Sequence, residues 1–194
     1  MKKSVTVTSI LSLLIFASCK KNSLETTYVP SYLKQMVPYT NGQTIKFIDT
    51  YGGILETTVS ATEGFVEKSN CAGCDPYARV EYINYDFKVG IYSFIQMSID
   101  VRPNIFLGIF SPLDNYQVGG GFDFVTQDGV QQPSCSAPRQ TCLTSVILNG
   151  QTFTNVLEII SGATASNELT HAYYTVDKGL VGFKYGSGYT FSLL

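Results

Sequence analysis

Four cysteines are the residues whose types and spacing could support chemistry in this chain. Cys71 and Cys74 form a Cys-x-x-Cys motif, and Cys135 and Cys142 follow later in the sequence. Such a set can form two disulfides, hold zinc through four thiolates, or act in thiol redox exchange. Two structural disulfides are the favoured interpretation. We expect the local pairs Cys71–Cys74 and Cys135–Cys142, and two cross-linked loops are the open alternative.

The surroundings of the Cys-x-x-Cys motif argue against the metal and redox alternatives. A redox-active motif usually lies at the N-terminus of a helix. Here Asp75-Pro76 favours a turn, and the residues that follow are expected to form a strand. The residue after Cys74 is not histidine, which excludes covalent haem attachment. The spacing between Cys135 and Cys142 exceeds that of common zinc sites. The sequence therefore predicts no metal and no cofactor.

Nucleophilic and acid–base catalysis have little support in the sequence. His171 is the only histidine, and the segment Leu169-Thr170-His171-Ala172 supplies no recognisable catalytic partner. Gly186-Ser187-Gly188 lacks the spacing of a nucleophile elbow and lies between two expected strands. We therefore predict no catalytic residues and a protein that is not an enzyme. A loop calcium site without EF-hand spacing is an alternative for acidic residues near glycines, namely Asp114, Asn115, Asp123 and Asp128.

Aromatic side chains offer a different kind of site, because their faces can stack on sugars. The chain has 13 tyrosines and 12 phenylalanines but no tryptophan. Strands favour tyrosine and phenylalanine in any case, so packing is the main expectation. Tyr173 and Tyr174 are adjacent in an expected strand, so their rings should lie on opposite faces. At least one of the two rings is expected to face outward.

Short strands with alternating polarity are the elements that would position these residues. Ile83–Val89 and Ile95–Val101 alternate most regularly, and Gly90 lies between them, so we expect a hairpin. Asn149-Gly150 separates two further apolar segments and accepts the positive φ angles of a type I′ turn. Ile105–Phe110 is continuously apolar and is expected to be buried on both faces.

These segments predict an all-β fold, namely a single antiparallel sandwich or half-barrel of roughly ten short strands. A short helical turn is expected near the N-terminus, over residues 30–36, and Pro38 should end it. Gly119-Gly120-Gly121 is expected to be a flexible connection. Residues 127–141 are rich in Gln, Pro and Ser and are expected to form an exposed loop.

Composition and charge narrow the classes of function. The 194 residues are 44% hydrophobic but only 14% charged, and the formal net charge is −2. The charged fraction is low beside the ~25% typical of soluble domains. Arg79, Arg102 and Arg139 are scattered along the chain, so no basic patch indicates binding of nucleic acid.

The first nineteen residues have the organisation of an export signal. Lys2 and Lys3 precede the apolar run Val5–Phe16, which is too short to cross a bilayer. Ala17-Ser18-Cys19 then resembles the lipobox of bacterial lipoproteins, in which the cysteine is lipidated and becomes the new N-terminus. The resemblance implies a lipid anchor on Cys19, an oxidising compartment and attachment to a membrane. It also accounts for the even number of cysteines that remain.

The resemblance leads to a three-part organisation. Residues 1–18 are a cleaved signal peptide, residues 19–43 comprise the lipidated Cys19, a polar tether and an entry segment, and residues 44–194 form the β domain. Residues 20–27 are expected to be a flexible leash. Lys20 follows the cysteine without an acidic cluster, which resembles sorting to the periplasmic face of the outer membrane rather than the cell surface.

Both ends of the chain are also similar to small lipoproteins of Bacteroidetes-type bacteria, whereas the middle, 71–145, is unmatched. That resemblance implies an all-β exported lipoprotein and implies no reaction. The segments that carry it are Cys19-Lys20-Lys21, Tyr28-Val29-Pro30-Ser31-Tyr32, residues 38–47, Asn155-Val156-Leu157-Glu158-Ile159, Tyr173-Tyr174 and residues 178–184.

Two functional hypotheses follow. The first is a non-catalytic envelope lipoprotein, anchored through Cys19, that binds another protein or supports the envelope. The second is a binder of a small ligand, a sugar or a lipid, in a half-open barrel or on an aromatic face. In the second hypothesis Ile95–Val101 and Ile105–Phe110 would line the cavity.

Overall fold

A computed structural model describes residues 24–69, 76–90, 94–101, 104–111, 116–127, 130–135 and 138–194. Within these ranges the chain forms thirteen strands and one short helix. The elements are β1 (Glu25–Thr27), α1 (Ser31–Met36), β2 (Thr44–Asp49), β3 (Ile54–Lys68), β4 (Ala78–Lys88), β5 (Phe94–Asp100), β6 (Asn104–Ser111), β7 (Tyr116–Gln127), β8 (Val130–Ser134), β9 (Gln140–Leu148), β10 (Gln151–Ile160), β11 (Leu169–Thr175), β12 (Gly179–Tyr185) and β13 (Thr190–Leu193).

One sheet contains all thirteen strands. Twelve of them follow one another in antiparallel order, β8-β7-β6-β5-β4-β3-β2-β13-β12-β11-β10-β9, and β1 pairs with β4 beside this path. The sheet curls on itself, so that β10 lies against β7 and β11 against β6. The two halves thereby bury a common inner face, as a half-barrel does. The all-β antiparallel fold expected from the sequence is confirmed.

The inner face of the sheet holds the main core. Alternate residues of β4, β5 and β6 face inward and leave their neighbours on the outer face. Burying an aliphatic or aromatic side chain of this size contributes roughly 1.5–3 kcal/mol, so these positions dominate the stability of the sheet. Fully buried members of this core include Leu33, Phe47, Phe87, Ile95, Met97, Ile99, Ile105, Leu107 and Phe183.

Both hairpins expected from the sequence are present. β4 pairs with β5 in antiparallel register, and β9 pairs with β10. The turn between β9 and β10 has φ of 47° at Asn149 and 81° at Gly150. Positive φ at both central residues is what a type I′ turn requires, so asparagine and glycine are suited to these positions.

Two segments expected to be irregular are strands instead. Gly119-Gly120-Gly121 lies within β7, where its backbone pairs with Leu107 and its neighbours in β6. The expected loop 127–141 contains β8 and the start of β9. Both predictions were wrong for the same reason. Backbone hydrogen bonds from neighbouring strands hold these segments, and side-chain composition does not report such bonds.

The N-terminal segment is attached to the β domain from residue 25 onward. β1 pairs in parallel with β4, from Glu25 opposite Ala78 to Thr27 opposite Val80. The carboxylate of Glu81, itself buried, accepts a hydrogen bond from the Val29 amide nitrogen at 2.7 Å. The predicted leash over residues 20–27 is therefore wrong for residues 25–27. Residues 19–43, which the sequence assigned to a tether and an entry segment, contain β1 and α1.

Two tyrosine hydroxyls attach residues 36–39 to the C-terminal strands β11 and β12. The hydroxyl of Tyr174 donates a hydrogen bond over 2.9 Å to the carbonyl oxygen of Met36, the last residue of the predicted helical turn. The hydroxyl of Tyr39 accepts one from the amide nitrogen of Leu180. It occupies the space that a Cβ atom would fill at Gly179, so glycine is required there.

The β9–β10 hairpin leaves the sheet plane part-way along its length. Residues 157–160 of β10 pair with β11, whereas residues 151–156 pair only with β9 among the described residues. Asn155 has φ of 53° and no partner in the β9 ladder, although the register is the same on either side of it, so the ladder is interrupted where the pairing with β11 ends. At the tip, the side-chain amide of Asn149 donates to the carbonyl oxygens of Ile48 and Thr190 at 2.8 and 3.0 Å. The hairpin tip therefore reaches back across the outer face to β2 and β13.

A second, smaller core lies beneath this hairpin on the outer face. Tyr173 and Val181 contribute to it from β11 and β12. Leu148 lies over Gly182, where a Cβ atom would come within 2.5 Å of its methyl group. The buried members of this second core are Leu148, Phe153, Val156, Tyr173 and Val181.

Candidate binding groove on the outer face

A groove of about 370 Å³ opens on the outer face of β3–β6, opposite the main core. Its volume is at the lower end of the range of ~300–1,000 Å³ for small-molecule sites. Its lining combines aromatic and aliphatic residues with amide, hydroxyl and carboxyl groups, and one of these residues, Ile99, has its own side chain buried in the main core. The lining comprises Val66, Tyr82, Asn84, Ser98, Ile99, Asp100 and Phe106.

The strand register brings these side chains together. Tyr82 lies directly opposite Asp100, and Asn84 lies opposite Ser98. Ser98 is in turn opposite Phe106 on β6. Because opposed residues of an antiparallel pair share a face, all five side chains lie on the outer surface. Tyr82 and Phe106 thus flank a floor formed by one amide, one hydroxyl and one carboxyl group.

Gly64 on β3 makes room for the Tyr82 ring. Gly64 is opposite Tyr82 in the β3–β4 register, and a Cβ atom there would lie 2.7 Å from the tyrosine hydroxyl. The ring therefore lies over the glycine backbone. This arrangement fixes the position of one aromatic wall of the groove.

Polar contacts beside the groove order its floor. The side-chain amide of Gln96 donates to a carboxylate oxygen of Asp86 at 2.7 Å. The other end of that amide, its oxygen, lies 3.4 Å from the hydroxyl of Ser98. Gln96 thereby links the carboxylate of Asp86 to a residue of the groove.

The chemistry of the lining suits recognition of a hydroxyl-rich ligand. Aromatic walls offer apolar faces, while Asn84 can donate and accept and Asp100 can accept hydrogen bonds. Glycoside hydrolysis requires two facing carboxyl groups, and Asp100 is the single carboxylate among the described lining residues.

The inner side chains of the two strands proposed to line a cavity are packed instead. Ile95, Met97 and Ile99 on β5 and Ile105 and Leu107 on β6 are fully buried in the main core. The side chains that remain accessible on these strands point to the outer face, which carries the polar residues of the alternating pattern. Phe106, within the segment expected to be buried on both faces, is half-buried and lines the groove.

The cysteine pair that the structure describes forms a disulfide. Cys135 and Cys142 are joined by a disulfide, with Cα atoms 5.6 Å apart, in the local pairing favoured from the sequence. Bonded sulfurs cannot serve as thiolate ligands, so the four-thiolate zinc alternative fails for the disulfide-bonded protein. Cys19, Cys71 and Cys74 lie outside the described residues.

The disulfide also has a topological role. Cys135 directly follows β8, and Cys142 lies in β9. β8 and β9 stand at the two ends of the strand order. The disulfide therefore joins the two edges of the open sheet, which the sequence spacing alone did not indicate.

His171 lies on β11 in a small polar cluster away from the groove. Its Nε2 lies 4.0 Å from a carboxylate oxygen of Glu158, and its ring stacks on Tyr173. Burial lowers the pKa of His171 below its usual 6.5, Glu158 opposes this shift, and Lys184 adds to it. Burial also raises the pKa of Tyr173, and Glu158 raises it further.

This cluster does not form a catalytic unit. The Thr170 hydroxyl lies 2.9 Å from Nδ1 of His171 and 3.1 Å from the carbonyl oxygen of Lys184. A carbonyl oxygen can only accept, so the hydroxyl hydrogen points to Lys184 and Nδ1 of His171 is the donor. The imidazole therefore cannot take the hydroxyl proton, and Thr170 is not activated as a nucleophile.

Tyr173 and Tyr174 are both buried, which corrects the expectation that one ring faces outward. The rings do lie on opposite faces: Tyr174 is in the main core and Tyr173 is in the second core. The prediction was wrong because the β9–β10 hairpin covers the outer face at this point. Neither ring is available to a ligand.

The described ranges contain no cluster of metal-binding side chains and no membrane-spanning helix. No group of three or more His, Cys, Asp or Glu side chains there is arranged to hold a metal ion. No helix there is both long and apolar enough to cross a membrane. Asp114, Asn115 and Asp128 of the calcium alternative lie outside the described residues, while Asp123 lies in β7 opposite Asn104.

Comparison with known proteins gives no match. No protein-family model, no curated protein and no solved structure is significantly similar to this chain. The site is therefore interpreted from its own geometry.

Sequence reasoning placed the polar members of the groove correctly on one face but did not identify its aromatic walls. Asn84, Ser98 and Asp100 occupy the polar phase of the two most regular strands. Tyr82 falls in that same phase, before Ile83. An aromatic residue in the polar phase of an alternating strand was the signal that could have identified the wall.

Proposed function

We propose that this chain is a non-catalytic envelope lipoprotein, anchored through Cys19, whose outer groove binds a saccharide. The observation that carries the binding role is the pairing of Tyr82 and Phe106 around the polar groups of Asn84, Ser98 and Asp100. An aromatic wall covers the apolar face of a sugar ring, and the groups between the walls satisfy its hydroxyls.

The geometry favours a saccharide over a fatty acid. Nearly every second lining position carries a polar group, and the apolar inner side chains are packed in the core. An acyl chain in this groove would take water from the amide of Asn84 without replacing its hydrogen bonds, at a cost of roughly 1–3 kcal/mol. A hydroxyl-rich ligand can exchange hydrogen bonds with this amide.

The anchoring part of the proposal rests on the lipobox resemblance of residues 16–19. Two or more acyl chains give a stable membrane attachment. Lys20, which follows the lipidated cysteine without an acidic cluster, supports a position on the periplasmic face of the outer membrane. Labelling with a radioactive fatty acid should mark the wild-type protein and not the Cys19→Ala variant. Removal of the domain by protease added to intact cells would contradict the periplasmic location.

The binding role is tested by calorimetry against a panel of neutral and acidic oligosaccharides. We expect the double variant Asn84→Ala/Ser98→Ala to lose at least about tenfold in affinity for any saccharide that binds, because two polar contacts are removed. Thr58→Ala is the matched control, since Thr58 is an exposed polar residue of β3 distant from the groove. Absence of saccharide binding, or equal loss in the control, would refute the groove as a saccharide site.

Protein binding is the second candidate function, and an exposed aromatic pair favours it. Tyr51, in the turn before β3, and Tyr189, in the turn before β13, have ring centroids 5.1 Å apart. Tyr51 is 78% exposed. Tyrosine is enriched at protein interfaces, so this pair is the surface to test if saccharides fail. A partner captured from solubilised envelope by the wild type but not by Tyr51→Ser/Tyr189→Ser would support this candidate.

A further inference from the structure

Three aromatic side chains are exposed at the end of the sheet where the chain enters it. Tyr28 is 63% exposed, Tyr77 is 51% exposed and Phe65 is 39% exposed. The rings of Tyr28 and Phe65 meet edge to face with centroids 5.9 Å apart. The guanidinium of Arg79 lies 4.8 Å from the centre of the Phe65 ring. We call these four residues the entry-end cluster.

The path of the chain explains why the cluster lies at this end. β1 runs parallel to β4 with Glu25 opposite Ala78, so the residues before β1 start beside Tyr77. Beyond β1, Glu81 fixes the segment by accepting hydrogen bonds from the Val29 amide and from the Lys34 ammonium group at 2.9 Å. Tyr28 lies directly before this attachment and cannot move far from Phe65.

The length of chain before β1 limits how far this end can stand from a membrane anchor. Five residue steps separate Cys19 from Leu24. A fully extended chain spans about 3.3–3.6 Å per residue, so the entry end lies at most roughly 18 Å from the lipidated residue. This step rests on the proposed lipidation of Cys19.

We propose that the entry-end cluster lies in the membrane–water interface and orients the domain on the lipid surface. Tyrosine rings favour the headgroup level of a bilayer, where an apolar body and a polar tip are both satisfied. The exposed Lys68 can reach lipid phosphates from the same end, whereas Arg79 lies over Phe65 with its Nε 4.0 Å from a carboxylate oxygen of Glu67. The short tether holds the exposed rings near the surface, so insertion needs little further loss of chain freedom.

This orientation would place the groove near the membrane. Tyr82 follows Tyr77 by five residues along β4, a distance of roughly 17 Å at ~3.3 Å per residue. Ile54, at the start of β3, lies about 36 Å from Phe65 by the same spacing. The Tyr51–Tyr189 pair would therefore point away from the lipid, and the groove would accept saccharide that lies close to the membrane.

The absence of tryptophan makes the orientation directly measurable. Tyr28→Trp and Tyr77→Trp each introduce a single tryptophan reporter at the entry end, and Tyr51→Trp introduces one at the opposite end. Each full chain is expressed with its signal, purified and reconstituted into vesicles of phosphatidylcholine and phosphatidylglycerol, with or without bromine on the acyl chains. Fluorescence is compared between the two kinds of vesicle.

We expect brominated lipid to reduce the fluorescence of Tyr28→Trp and Tyr77→Trp at least about twofold and to leave Tyr51→Trp unchanged. Tyr51→Trp also controls for the affinity of tryptophan itself for the interface. Quenching of Tyr28→Trp and Tyr77→Trp no greater than that of Tyr51→Trp, in protein that floats with the vesicles, would overturn the orientation while leaving the anchor intact. Protein that fails to float would overturn the anchoring, and the orientation would fall with it.

Discussion

The outer face of the sheet differs between its two halves. Over β3–β6 this face is polar and open, and it forms the groove around Asn84 and Ser98. Over β11 and β12 the same face is covered and holds the second core with Tyr173 and Val181. One continuous sheet therefore has a single-sided core in one half and a double-sided core in the other.

The β9–β10 hairpin is the cause of this difference. The pairing of β10 with β11 ends beside Asn155, whose φ is positive, and Asn149 fixes the hairpin tip to the carbonyl oxygens of Ile48 and Thr190. Phe153 and Val156, three residues apart, thereby reach the same second core. The comparison teaches that β-strand alternation indicates which side chains share a face, while chain bending decides whether that face is buried.

The largest expected effect comes from placing a charge on each half of the outer face. Val181→Asp puts a carboxylate into the second core, where Val181 is fully buried, and should lower the free energy of unfolding by about 4 kcal/mol. Thr58→Asp introduces the same charge on the open half. It should change the free energy of unfolding by no more than about 0.5 kcal/mol. Urea denaturation measures both. Similar losses for the two variants would show that the halves do not differ in burial.

The second prediction concerns Asn155, at the point where the hairpin separates from β11. Asn155 has positive φ, a region that costs ordinary L-residues roughly 1–2 kcal/mol and β-branched residues more. Asn155→Val should therefore lower the free energy of unfolding by about 2 kcal/mol, whereas Asn155→Gly should change it little. Thermal unfolding of the two variants measures this difference. Equal stability of the valine and glycine variants would show that the hairpin does not need the left-handed backbone conformation at this position.

The smallest expected effect is on the pH dependence of stability. A lowered pKa in the folded protein means that the unfolded chain binds the His171 proton more readily. Neutral His171 therefore contributes its full share to the stability of the fold well above pH 6.5. That share is lost as the pH falls below this value. His171→Gln should therefore lose less stability than the wild type on acidification below pH 6.5. NMR titration of the imidazole measures this pKa directly. A midpoint above 6.5 would contradict a pKa lowered by burial.

Much of the fold could be predicted from the sequence because local rules determine it. The β4–β5 hairpin follows from regular alternation around Gly90, and the β9–β10 turn follows from Asn149-Gly150. The polar groove residues also followed from alternation. β7 through Gly119–Gly121, β8 and β1 could not be predicted, because backbone pairing with distant strands stabilises them rather than their own side chains.

The sequence by itself determined which side chains share a face, where the tight turns form and which cysteines lie close enough for a local disulfide. These properties depend on residues a few positions apart, so the period of two and the turn chemistry define them. Tertiary structure alone decided that Tyr173 is buried, that Tyr82 and Phe106 form the walls of one groove, and that the disulfide joins the two sheet edges. Those outcomes depend on strand order, register and the separation of the hairpin from β11 beside Asn155, which bring together residues far apart in the chain.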